Sequence, residues 1–271
     1  MTKALRSTAV VMLVLLGAFG TACTGGAPRK PPTGTLEPDK FLYERGKENL
    51  DRKRWLVARE YFRQLIDSYP QSQYRADAKL GLGDTYLGER SGESMVLATN
   101  EFREFLNFYP THERAHYAQF QLAMTHFRQM RAPMRDQTET RDAIRELQVY
   151  VTRFPDKALI GEARAKLRDA KDRLADWDAG VAQHYFRIKW YPGVVGRLVP
   201  LLASDPEYTR RDGAYYFLGE SLLKIQRSAE ALPYYERLVK EFEQSEYLEK
   251  AKLRIAELKA SPAVPGKGTQ P

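Results

Sequence analysis

A single cysteine, Cys23, in 271 residues leaves no partner for an intrachain disulfide and no basis for a cysteine-ligated metal cluster. Histidine is scarce as well. Of the four, only His112 and His116 stand at the i, i+4 spacing that holds zinc on a helix, and no glutamate follows in the H-E-x-x-H manner. Beside Tyr109-Pro-Thr the pair reads as capping and packing, so no metal is expected. There is no G-x-S-x-G elbow and no phosphate-binding glycine loop, and Gly81-Leu-Gly83 lacks the preceding strand that a dinucleotide fingerprint requires. Carboxylates are spread evenly, with no pair singled out as acid and base. The expectation is a binding scaffold that is not an enzyme and carries no cofactor.

Long apolar runs are missing too. The longest, Ala9 to Phe19, falls short of the roughly 20 residues that span a bilayer as a helix. Preceded by Lys3 and Arg6 and followed by small residues, it reads as a secretion signal. The net charge is +8, but the cations alternate with acids, as in Asp51-Arg-Lys-Arg54 and Lys171-Asp-Arg173. Such mixing describes solvated helix faces, and with no basic cluster or motif no nucleic-acid partner is expected.

What the sequence does contain is a repeat. Ala58 to Pro70 returns at Ala98 to Pro110, Ala143 to Pro155, Val194 to Pro206 and Ala231 to Glu243. The first place is small (Ala58, Ala98, Ala143, Val194, Ala231). The fifth is large and apolar (Phe62, Phe102, Leu147, Leu198, Tyr235), and so is the eighth (Leu65, Phe105, Tyr150, Leu201, Leu238). The twelfth is Tyr69, Tyr109, Phe154, Asp205 and Phe242. Offsets of 0, 4, 7 and 11 share one face of an α-helix, and proline in the thirteenth place of four copies cannot continue it. An apolar-periodic segment precedes each copy. The fold class is therefore all-α: a tetratricopeptide-like (TPR-like) solenoid of about five helix pairs with a C-terminal capping helix.

The expected organisation is a lipoprotein signal peptide at 1–22, then a lipidated Cys23 and flexible Gly/Pro-rich tether at 23–40. An N-terminal repeat group follows at 41–158, a C-terminal group with its cap at 159–258, and a disordered tail at 259–271. Phe41 to Val57 is expected as the first partner helix, carrying Trp55. Leu159 to about Ala179 is expected as one long helix, with a separate partner helix at about Val181 to Lys189. Arg131 to Arg141, with Pro133 and mixed charge, interrupts the third unit and is a candidate contact loop.

Gly20-Thr-Ala-Cys23 resembles the bacterial lipobox, whose cysteine is lipidated, and Thr24 in place of Asp favours the outer membrane in the sorting pattern of such proteins. Together with Tyr109-Pro-Thr-His, Lys171-Asp-Arg-Leu-Ala175, Val181-Ala-Gln-His-Tyr185 and Tyr191-Pro-Gly-Val-Val-Gly-Arg197, the chain resembles the BamD (ComL) family over Phe41 to about Leu258. That family consists of lipoprotein subunits of the β-barrel assembly machinery. The resemblance implies a lipid-anchored protein on the periplasmic face of the outer membrane. Its partners would be the POTRA domains of BamA, other subunits of the machinery, and unfolded outer membrane proteins awaiting insertion. By the same resemblance Trp55, Tyr69, Ser72 and Tyr74 match the client-peptide pocket, with Ser72 where glycine is common and Leu56 where arginine often follows the tryptophan. Arg197 matches an arginine that pairs with an acidic residue of BamA. The competing reading is a periplasmic TPR lipoprotein that coordinates cell-wall enzymes, which would share anchor and repeats.

Overall fold

The computed structural model describes residues 30–260, which form eleven α-helices and, among the described residues, no strand. The leader, Cys23 and most of the tail lie outside the described residues. Two compact units divide between Pro110 and Thr111. The first holds α1 (Pro38–Asp51), α2 (Trp55–Ser68), α3 (Arg75–Glu89) and α4 (Gly92–Phe108). The second holds α5 (Ala115–Phe127), α6 (Thr138–Arg153), α7 (Ile160–Arg187), α8 (Tyr191–Ser204), α9 (Arg211–Lys224), α10 (Ser228–Glu241) and α11 (Leu248–Ala260). Within each unit a helix packs chiefly on its neighbours in sequence, which is how a repeat array buries faces that no single helix pair can bury alone.

The five copies of the repeat are α2, α4, α6, α8 and α10, and their stripe is the core. Ala58, Ala98, Ala143, Val194 and Ala231 are fully buried, as are Phe62, Phe102, Leu147, Leu198 and Tyr235 one turn on. The twelfth residue of every copy is the C-cap, and its N–H reaches back to the eighth: Tyr69 to Leu65, Tyr109 to Phe105, Phe154 to Tyr150, Asp205 to Leu201 and Phe242 to Leu238. The copy with Glu243 in the proline place stops in the same register as the other four, so proline reinforces this stop without being its cause.

Close approach is bought with glycine where Phe62 enters. A Cβ on Gly46 of α1 or on Gly81 of α3 would lie 2.5 Å from the Phe62 ring, so the ring is held between two helix backbones and neither position takes a larger residue without displacing it.

Two boundaries differ from those read in the sequence. The first helix begins at Pro38, whose fixed φ suits a first turn, and ends at Asp51, so Trp55 opens α2 and does not belong to the partner helix. The stop is a Schellman turn in which Arg54 N–H donates to the Asn49 carbonyl and Lys53 N–H to that of Leu50, with Lys53 left-handed at φ 57°. The same closure ends α7 at Lys189 and α9 at Gln226. Second, the long helix and the partner helix expected after it are one unbroken α7. Only Gly180 stands between them, and one glycine costs a helix about 1 kcal/mol against alanine. Gly180 has a packing use: a Cβ there would lie 2.8 Å from Met134 Sδ of the α5–α6 connection.

Candidate functional site

The structure brings Tyr69, Ser72 and Tyr74 together in the α2–α3 turn. Tyr69 is the half-buried C-cap, and its carbonyl accepts from Ser72 N–H at 3.0 Å. The Ser72 hydroxyl donates to Asp39 Oδ2 of α1 at 2.7 Å and accepts from Tyr74 N–H at 3.1 Å. Tyr74 stacks on Tyr43, with ring centroids 5.1 Å apart and planes 15° from parallel. The Ser72 hydroxyl, helped by backbone N–H groups of α1 and opposed by slight burial, holds the Asp39 carboxyl below its ordinary pKa.

Trp55 is not part of that cluster. It opens α2 while Tyr69 closes it, about 20 Å away at 1.5 Å per residue. Its indole lies against Gly88, where a Cβ would be 2.8 Å from the ring. Beside it is an open groove of about 400 Å³ lined by Lys53, Arg54, Trp55, Leu56, Val57 and Glu89. Leu56, where the family often has arginine, is 67% exposed. Cations nevertheless line the groove, as Lys53 and Arg54. Glu89 is paired with Arg59, whose guanidinium lies 4.0 Å over the Tyr86 ring.

Arg197, on α8, is paired inside the chain. Its Nη1 lies 3.3 Å from Asp178 Oδ1 on α7, and its guanidinium carbon stands 5.4 Å over Trp177. Arg141 of α6 approaches the same ring at 6.0 Å. Burial pushes the Asp178 carboxyl pKa up and outweighs the pull of Arg197 and Arg141 in the other direction. The α5–α6 connection is ordered from within: buried Gln137 aims its amide nitrogen at the carbonyls of Ala132, Pro133 and Arg135, at 2.9 to 3.1 Å. Arg173 of α7 donates to the Arg131 carbonyl at 3.2 Å. The interruption seen in the sequence is thus a loop fitted to α7.

The histidines behave as packing and capping residues. His112 Nδ1 accepts from Arg114 N–H at 3.2 Å, as the serine hydroxyl does in the α2–α3 turn. Burial, with Lys157 and Arg114 nearby, lowers the His116 pKa. His126 is buried with Nδ1 2.8 Å from Glu139 Oε2, and Asp142 completes a trio able to hold a cation among the described residues. Asp142 already accepts from Arg145 at 2.6 Å, so the trio reads as a neutralised packing contact. Its members lie thirteen or more residues from His126 in sequence with no motif spacing, and no local signal announces them.

Comparison with known families places these features. The family model described as outer membrane lipoprotein, YfiO, matches residues 36–229, the greater part of the chain. The chain belongs to that family. A tetratricopeptide-repeat model also matches this outer membrane lipoprotein at residues 214–245, spanning α9 and α10. Curated relatives of this family member carry the name outer membrane protein assembly factor BamD. That of Caulobacter vibrioides is 28% identical, covering 83% of this chain and 73% of the relative. That of Vibrio cholerae is 23% identical over 71% and 83% of the two chains, and that of Rickettsia prowazekii 22% over 86% and 89%. No helix among the described residues is long and apolar enough to cross a membrane.

Proposed function

We propose that this lipoprotein is a non-catalytic scaffold of the β-barrel assembly machinery, held by a lipid on Cys23 at the periplasmic face of the outer membrane. The observation that carries the reading is the family match over residues 36–229, joined by relatives named as BamD over most of both chains. In this reading the second unit engages a POTRA domain of BamA through Arg197. The first unit receives unfolded outer membrane proteins along α2, between the groove at Trp55 and the turn at Tyr69 to Tyr74. An extended strand rises about 3.3 Å per residue, so roughly six residues of client reach from one to the other. Aromatic side chains with polar rims suit strands that alternate apolar and polar residues, and each anchor is worth about 1–2 kcal/mol. A few such contacts give micromolar or weaker capture, which suits a handover.

The test is a pull-down from detergent-solubilised outer membrane with wild type and Arg197→Glu. Recovery of a barrel-plus-POTRA partner by wild type and its loss in the variant is the expected result. Peptidoglycan enzymes recovered in place of that partner would sink the proposal. Photocrosslinkers at Trp55 and Tyr69 should both trap client peptide.

A further inference from the structure

The surroundings of Arg197 are unbalanced. Arg197 and Arg141, from two different helices, flank one aromatic ring, Trp177, and both act on the Asp178 carboxylate, while Arg141 also lies in the field of Asp136. The other nearby acids are engaged elsewhere: Asp136 accepts from Thr138 N–H at 3.2 Å and from its hydroxyl at 2.9 Å, and Asp176 takes Tyr208 and Arg210. The Arg197 side chain remains 40% exposed and that of Asp178 27%, so the pair opens to solvent on one side.

We propose that Asp178 stands, in the free protein, where a carboxylate of the partner will stand in the complex, and that Arg141 and Trp177 complete with Arg197 the site that receives it. This rests on the reading of Arg197 as the partner-binding residue and adds the residues that set its specificity. The site has the form expected of an acid receptor. Two guanidiniums held over one indole are pre-oriented, so little side-chain freedom is lost when a carboxylate arrives. Met134, 61% exposed and seated on Gly180 two residues along α7 from Asp178, supplies an apolar rim. The ligand class is therefore an acidic side chain flanked by an apolar one, on a protein surface. The internal pair opens to solvent on one side, so it has only the strength of a partly exposed ion pair and its occupant can exchange.

The experiment compares full-length lipoprotein, wild type and Asp178→Asn, titrated with the purified periplasmic region of the barrel subunit. Removing the internal competitor while keeping its shape should tighten binding about threefold to tenfold, the worth of one partly exposed ion pair. Arg141→Gln should weaken it by a similar factor. Unchanged or weaker binding by Asp178→Asn, or no effect of Arg141→Gln, overturns the proposal. A second arm needs no natural partner. The Arg197 Nε–H signal, assigned by its loss in Arg197→Lys, is followed by NMR while a peptide of alternating glutamate and leucine is added. Asp178→Asn should respond at lower peptide concentration than wild type, and equal responses overturn the proposal. Failure of wild type to bind the barrel subunit, with the peptide response intact, would fault the identity of the partner and leave the site standing.

Discussion

The turns that follow the first and last copies of the repeat are built from the same four residues, Asp, Tyr, Ser and Tyr, at the same spacing. In the first, Ser72 donates to Asp39 at 2.7 Å and accepts from Tyr74 N–H at 3.1 Å, while Tyr74 stacks on Tyr43 with centroids 5.1 Å apart. In the last, Ser245 donates to Asp212 at 2.7 Å and accepts from Tyr247 N–H at 3.2 Å, while Tyr247 stacks on Tyr216 at 4.6 Å. Below the turns the two differ. Phe62 is held between Gly46 and Gly81 and makes only apolar contact there. Tyr235 meets Gly219 with its ring and donates its hydroxyl at 2.8 Å to buried Glu220, which also takes Arg254 of α11 at 2.7 Å. The lesson concerns Ser72 and Tyr74: the bonds they make recur at a turn where no client is expected. These two side chains form a joint between helices, and what sets the first unit apart is the Tyr69 face and the groove at Trp55.

The comparison breaks most readily in the core. Phe62→Ala should cost about 3–5 kcal/mol, read as a fall in the urea midpoint, because two glycine backbones cannot collapse onto the void. A loss under about 1 kcal/mol would mean the ring is not the wedge described. Next is Glu220→Gln, expected to cost about 2 kcal/mol. It removes one of the two carboxylates that Arg254 pairs with and leaves Glu257 at 2.8 Å, and Arg254 is partly exposed, so the loss falls below that of a fully buried pair. Lys47, eight residues after Asp39 as Glu220 is after Asp212, is exposed, and Lys47→Gln should stay within about 0.5 kcal/mol. Equal effects of the two would erase the contrast.

Ser72→Ala and Ser245→Ala should each cost about 1 kcal/mol and match one another in denaturant midpoint. A Ser72→Ala protein of unchanged stability that no longer crosslinks client at Tyr69 would make Ser72 a contact and not a joint. The smallest effect is acidic. A carboxyl whose folded pKa is depressed stabilises the fold above its unfolded pKa, near 3.9, and that contribution disappears as pH falls through the lower folded value. Asp39→Asn should therefore flatten the stability curve below about pH 4 and leave its shape above pH 5 unchanged, measured by thermal melts across that range.

Much of the fold was legible. The small, large, large columns of the repeat fall on α2, α4, α6, α8 and α10 and are buried as their spacing requires. The stop of α1 was not legible, because the left-handed residue that closes it is Lys53 and not the glycine that marks such a turn in sequence. Hence Trp55 falls in α2 and not in the first partner helix, whereas the break expected in α7 came from Gly180, which serves packing against Met134. Of the candidate site, Tyr69, Ser72 and Tyr74 were named by the family resemblance, and their grouping in one turn follows from their nearness in sequence. The pairing of Arg197 with Asp178 and the stacking on Trp177 were not, since they join α8 to α7 across a packing surface that no periodicity describes.

The sequence by itself determined which residues face inward, since a helix turns by a fixed angle per residue and its apolar stripe follows from spacing alone. Only the tertiary structure decided what those helices do for one another: that Ser72 answers Asp39 and Ser245 answers Asp212, 33 residues away in each case, and that Arg197 already has an acid beside it. Such partners are chosen by how helices dock. Docking depends on shape and on which polar groups lose water together, and neither is written in the order of residues along one helix.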